Sequence, residues 1–153
     1  LGQSLYQELA AGRYEGAPPP VDLEAERRVG DFVRGLIRSG RVAAVHDISD
    51  GGLLVAVAEM ALAGGRGVAL DTAPEGLPAH AVWFGEDQGR YVAATRPEEA
   101  ARILHEAKEA GIPARRVGKA TGDALKLAGE APLSLQALRT AHDRWLPRFM
   151  DGG

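Results

Sequence analysis

The sequence predicts an α+β fold, an α/β sandwich in which a mixed sheet of β-α-β-β-α-β order carries extra helices at both chain ends. Three observations lead there. Apolar residues recur at helical spacing in several long stretches, and short apolar runs bounded by glycines or polar turns lie between them. The two kinds of segment alternate in the order of a split βαβ unit. At 153 residues, with 45% hydrophobic and 25% charged residues, the chain is long enough for one proper core and short for two.

Each element has a local reason. Ser4 and Gln7 stand at capping-box spacing, which predicts a short helix over Leu5 to Ala10. "GRYEGAPPP" follows as an extended linker, because three consecutive prolines enter neither a helix nor a sheet centre. Residues 1–20 therefore read as a connecting segment and residues 21–153 as an α/β domain. Asp22 caps the next helix, whose Val29, Phe32, Val33, Leu36 and Ile37 make an amphipathic stripe before Gly40 ends it.

"VAAVHDI" suits a central strand covered on both faces, and Leu53 to Ala63 reads as a largely buried helix whose polar residue is Glu59. "GGRGVALD" turns into a second strand and "TAPEGLPAH" is a loop. "AVWF" and "RYVAATR" read as strands separated by "GEDQG". Thr95 and Glu98 suggest a capping box for a helix with Ala100, Ile103, Leu104 and Ala107 on its apolar side, stopped by Gly111 and Pro113. Thr121-Gly122-Asp123 reads as a hairpin turn between two short strands, and Ser134 caps a last helix through Leu135, Leu138, Trp145, Leu146 and Phe149. The order is partly ferredoxin-like.

Composition excludes several functions. A net charge of −3 argues against a nucleic-acid grip. Without cysteine there is no disulfide, thiolate nucleophile or zinc–thiolate site, which fits a cytoplasmic protein. No apolar run reaches the roughly 18 to 20 residues of a membrane span, and no signal-peptide pattern opens the chain. The first residue is Leu1 rather than methionine, so the chain is expected to be a piece of a longer one. P-loop, G-x-S-x-G and G-x-G-x-x-G motifs are absent, so no self-contained nucleotide or hydrolase site is written in it.

Two constellations carry chemistry. In His46-Asp47-Ile48-Ser49-Asp50-Gly51-Gly52, strand alternation sends His46 and Ile48 to one face and Asp47 and Ser49 to the other. Asp47 and Asp50 offer hard oxygens to a Mg²⁺, and the glycines let backbone approach a ligand at a helix start. The alternative is that Asp50 caps the helix while Asp47 answers a neighbouring arginine. In Gly85-Glu86-Asp87-Gln88-Gly89-Arg90, two acids, an amide and a guanidinium make a dense hydrogen-bonding set that meets a ligand, a partner domain or only solvent. His46 reads as a strand histidine satisfied by packing and one hydrogen bond, and no two histidines have metal-ligand spacing. Trp83 and Trp145 read as core or interface anchors.

"HDISDGGL" paired with "FGEDQGRYV" resembles the large-subunit family of phosphoribosylformylglycinamidine synthases, within the superfamily of aminoimidazole ribonucleotide synthetase. "LGQSLY", "PPPVDLEAERR" and "WLPRFM" extend the resemblance over nearly the whole chain. It implies the C-terminal α/β domain of the subunit's second half. The implied reaction is an ATP- and Mg²⁺-dependent carbon–nitrogen ligation in purine biosynthesis. The amide oxygen of formylglycinamide ribonucleotide is phosphorylated and glutamine-derived ammonia displaces the phosphate.

It also implies partners: upstream ATP-binding domains of the same subunit, a glutaminase subunit and a small bridging subunit. The family's catalytic histidine lies in those upstream domains, so His46 does not inherit the role, no catalytic residue is expected here, and the isolated chain is expected to be inactive with no tightly bound cofactor. By the family's pattern, Asp47, Asp50, Glu86, Asp87 and Gln88 face a pseudo-symmetric cleft, together with Ser49, Gly51, Gly52 and Arg90. Asp87 departs from the serine of the family motif, and a carboxylate there repels a phosphate. Missing partner domains imply exposed apolar surface. The alternatives are a non-catalytic binding or scaffolding module of the same fold, or a domain of a related selenophosphate or thiamine-phosphate enzyme.

Overall fold

Capping and apolar periodicity account for most helices of the computed structural model, which describes residues 1–73 and 76–151. Pro74 and Glu75, in the expected 72–80 loop, lie outside the described residues, as do Gly152 and Gly153. The order is α1 (Leu5–Ala11), α2 (Leu23–Arg38), β1 (Ala44–Asp47), α3 (Gly52–Gly64), β2 (Val68–Leu70), α4 (Ala79–Phe84), β3 (Tyr91–Ala94), α5 (Pro97–Glu109), β4 (Gly118–Ala120), β5 (Ala124–Lys126), β6 (Leu133–Ser134) and α6 (Leu135–Met150). The mixed α/β class with helices at both ends is therefore the one found. The described strands are shared between two sheets.

The chain divides into two compact units, one of residues 1–57 and 73–116, the other of residues 58–72 and 117–153. In the first, β1 and β3 pair antiparallel from Ala44↔Ala94 to Asp47↔Tyr91. Leu36 of α2, Ile48, Leu53, Ala56 and Val57 of α3, Val82 and Trp83 of α4, and Ala107 and Ile112 are its buried apolar residues. The Asp22 carboxylate accepts from the Glu24 and Ala25 amides, as its N-cap position requires. Ile37, counted in the apolar stripe of α2, is exposed. Arg41 stands just past α2 and donates to Glu99 (2.8 Å) and Glu106 (2.6 Å) of α5, with only 18% of its side chain exposed.

In the second unit, β2 lies between β4 and β5, antiparallel to β4 and parallel to β5, and β6 extends the sheet beyond β5. Ala61, Leu70, Ala124 and Leu125 are buried there. Ser134 caps α6 by accepting from the Ala137 amide, and Arg139 donates to the carbonyl of Leu62 near the end of α3. No described residue of α6 is buried, and Trp145 and Phe149 stack on each other in solvent with centroids 5.4 Å apart.

Four local expectations are corrected. "AVWF" is helix α4, so the third strand of the split βαβ order comes from "RYVAATR" alone, as β3. Six residues are too few for periodicity to separate the two states, and Pro78, whose carbonyl accepts from Ala81 and Val82, starts a helical turn. Thr95 does not cap α5. Its hydroxyl donates to the Arg41 carbonyl, and Pro97 takes the first helical position. The strands around Thr121-Gly122-Asp123 form no hairpin, because Gly67 inserts between them: its amide donates to the Gly122 carbonyl and its carbonyl accepts from Thr121. β1 is not a doubly covered central strand, since β3 is its one partner among the described strands and Ala44 and Asp47 are exposed.

The Arg41 hydrogen bonds hold the Glu99 and Glu106 carboxyls below the ordinary value of 4.5. A carboxyl with a lowered folded-state pKa stabilises the fold above its unfolded-state pKa, and the effect is lost as pH falls through the folded value. Melting temperature should therefore drop as pH falls below about 4.5. Arg41→Met should be less stable at neutral pH and should show a shallower drop in that window, measured by thermal melts from pH 7 to 3.

Candidate functional site

Antiparallel pairing of β1 with β3 brings the two polar constellations together. The glycine turn leaves β1 where the "GEDQGR" loop enters β3, and the Ile48 amide donates to the Arg90 carbonyl at 2.8 Å. Alternation is as expected: Ile48 is buried and His46 half-buried, while Asp47 and Ser49 are exposed. The His46 Nδ1–H donates to the Asp47 carbonyl, and Nδ1 lies 3.4 Å from the Asp47 carboxylate.

Gly51 and Gly52 have φ of +78° and +71°, a region glycine enters without the penalty of a side chain. At Gly52 there is a second requirement. A β-carbon there would lie 2.7 Å from the Phe84 backbone and 2.9 Å from the Gly85 carbonyl oxygen. The turn thus packs directly on the end of α4, and the Gly51 amide reaches the Glu86 carboxylate at 2.8 Å. The same Glu86 oxygen accepts from the Leu5 amide at 3.1 Å. Among the described residues no hydrogen bond reaches the Asp50 carboxylate, which is exposed. The reading of Asp50 as the helix cap is therefore corrected: Glu86 takes the Gly51 amide, and the Ser49 carbonyl takes the Gly52 amide.

Arg90 donates to Asp87 (3.2 Å) and to the Gly85 carbonyl (3.3 Å), so the loop's guanidinium is spent on the loop itself. Asp47 lies beside His46, and Asp87 is the acid that answers an arginine. Gln88 is exposed. Among the described residues no three of His, Asp and Glu stand close enough together to hold a metal ion.

Sequence reasoning missed the N-terminal segment's share in this place. Tyr6 stacks on Phe84 (4.7 Å) and on His80 (5.8 Å), which packs α1 against α4. Tyr14 donates to Glu8, and that bond holds its phenol above the ordinary range, with Glu86 and Asp50 adding repulsion. The polar pattern of Gln3, Ser4 and Gln7 was the available signal. Ser4, 2% exposed, caps α1, and Gln3 and Gln7 tie the segment back on itself at Glu15 and Gly16.

Residues 2–128 match the family model described as AIR synthase related protein, C-terminal domain. The chain belongs to this family. It is 57% identical, over 98% of its length, to the phosphoribosylformylglycinamidine synthase subunit PurL of Methylocella silvestris, and covers 20% of that protein. Its fold is similar to Thermotoga maritima PurL complexed with ATP, with TM-score 0.64, 20% identity, 73% of this chain and 21% of that one covered. The structure of PurLQS from the same organism matches with TM-score 0.69 and 20% identity over 90% of this chain and 24% of that one. The chain thus spans about a fifth of the length of the curated relatives it matches.

The close approach at Gly52 makes a sharp contrast available. Gly52→Ala must bear the positive φ, on the order of 1–3 kcal/mol, and also displace the Phe84 backbone. Gly40→Ala bears a φ of +67° with no neighbour within 4 Å. Urea unfolding should show Gly52→Ala losing clearly more stability than Gly40→Ala.

Proposed function

We propose that the chain is the C-terminal domain of the large subunit of a phosphoribosylformylglycinamidine synthase. That enzyme is an ATP-dependent carbon–nitrogen ligase of purine biosynthesis, joining glutamine-derived ammonia to formylglycinamide ribonucleotide. The observation that carries the reading is the side-by-side placement of "HDISDGGL" and "FGEDQGRYV" by the β1–β3 register, in a chain 57% identical to a PurL subunit.

In this reading Asp47, Ser49, Asp50, Gly51 and Gly52 on the turn, and Asp87, Gln88 and Arg90 on the loop, form one wall of a cleft. The ATP-binding parts of the same subunit complete it. Two exposed carboxylates match the one or two that Mg²⁺ commonly takes from a protein, its remaining oxygens coming from water and phosphate. A Mg²⁺ held by Asp47 and Asp50 would draw its other ligands from nucleotide phosphates or from the rest of the subunit. The proposed partners are a glutaminase subunit and a small bridging subunit, and PurLQS of Thermotoga maritima supports assembly with other subunits. No described helix is long and apolar enough to cross a membrane, which is compatible with the cytoplasmic setting proposed.

Two experiments test the reading. The 153-residue chain given formylglycinamide ribonucleotide, ATP, Mg²⁺ and ammonia should show no turnover above the no-enzyme background; turnover abolished by His46→Ala would reverse this. In the full-length subunit, Asp50→Asn should lower activity or nucleotide occupancy. Because Asp50 caps nothing, both Asp50→Asn and Asp50→Ala should leave the chain's stability within about 0.5 kcal/mol. Normal activity and occupancy in both variants would remove Asp50 from the site.

A further inference from the structure

We infer that Glu86 is a positioning residue that locks the N-terminal segment to the glycine turn, and not a ligand to metal or substrate. The inference deepens the reading above only in taking that turn as the wall of a ligand cleft. Its physical basis is a single carboxylate oxygen that accepts from two amides far apart in sequence, Leu5 at 3.1 Å and Gly51 at 2.8 Å. The other oxygen lies 3.4 Å from the Leu5 amide.

Both amides belong to helix starts, where no intrahelical acceptor exists: Leu5 opens α1 and Gly51 immediately precedes α3. Without Glu86 neither has a protein acceptor among the described residues. A carboxylate that turned away to bind a cation would leave both amides without that protein acceptor. The segment it holds is itself folded. Ser4 is buried, Tyr6 is stacked on α4, and the Gln3 amide donates to Glu15. Gly2 fits because a β-carbon there would run into the Ala17 carbonyl. Glu86 therefore makes the backbone of the turn, where Gly51 and Gly52 must keep positive φ, depend on the seating of the chain's first residues.

Amide hydrogen exchange on the 153-residue chain reads this directly, since protection at Leu5 and Gly51 cannot come from helix hydrogen bonds. Glu86→Ala should speed exchange at both amides by about tenfold or more. Glu86→Gln keeps an oxygen with two lone pairs in the same place, so it should hold both within a few-fold of the parent. Glu86→Asp, a methylene shorter, should lose protection at one of the two amides, and it serves where the alanine variant fails to fold. In the full-length synthase, Glu86→Gln should keep kcat and the KM for ATP within about twofold.

Unchanged exchange at Leu5 and Gly51 in Glu86→Ala, or a glutamine variant as damaged as the alanine one in exchange or activity, would overturn the inference. The exchange result needs no substrate. It can therefore stand when the synthase reading fails, and fail when that reading stands.

Discussion

The antiparallel register of β1 on β3 is the constraint on which the rest of the candidate site depends. Strand pairing fixes position to one residue, and a slip of one would turn every side chain to the other face. With Asp47 opposite Tyr91, the chain leaving β1 and the chain entering β3 emerge at the same end of the ladder. Two constellations well apart in sequence thereby become neighbours, and the Glu86 carboxylate then bonds the Gly51 amide across them. The Ile48–Arg90 backbone bond extends the ladder one step and delivers the glycine turn to the end of α4. There the absent side chain of Gly52 allows a contact no other residue could make.

From that contact the carboxylates divide into different jobs. Glu86 looks inward, satisfying amides that helix geometry leaves open. Asp87 neutralises Arg90. Asp47 and Asp50 remain exposed to solvent, Asp47 with a histidine nitrogen at its side. Four acids that look alike in the sequence are thus a structural acceptor, an ion-pair partner and two outward-facing groups.

Helices with a charged face and a capping residue were legible in the sequence, because each rests on spacing within a few residues. Asp22 and Ser134 cap as their positions require, and α3 starts and stops within a residue of its expected range. What was not legible depends on partners far away. Glu86 finds Leu5 across 81 positions, and Gly67 separates two strands that local sequence would join. Asp50 had the right residue type for a cap, but α3 begins at Gly52, which puts Gly51 and not Asp50 immediately before it. Thr95 likewise had a cap's spacing and found a carbonyl at Arg41 instead. The family motifs were legible as motifs, and their division of labour was not, because that follows from which hydrogen-bond donors each acid meets in space.

The charge left at the turn limits what can bind there. Asp47, Asp50, Glu86 and Asp87 bring four carboxylates to the two constellations, against one guanidinium that Asp87 already engages. Glu8, bonded to Tyr14 in the packed N-terminal segment, adds a fifth negative group nearby. A bare phosphate approaching this edge would be repelled, and its desolvation would raise the cost further. Backbone amides could offset that repulsion, but the Gly51 amide, the one best placed to do so, is taken by Glu86. An anion is accommodated there only if cations come with it or if positive charge is supplied from outside the two constellations. The edge built by β1 and β3 therefore carries an excess of negative charge, and a free anion meets repulsion there.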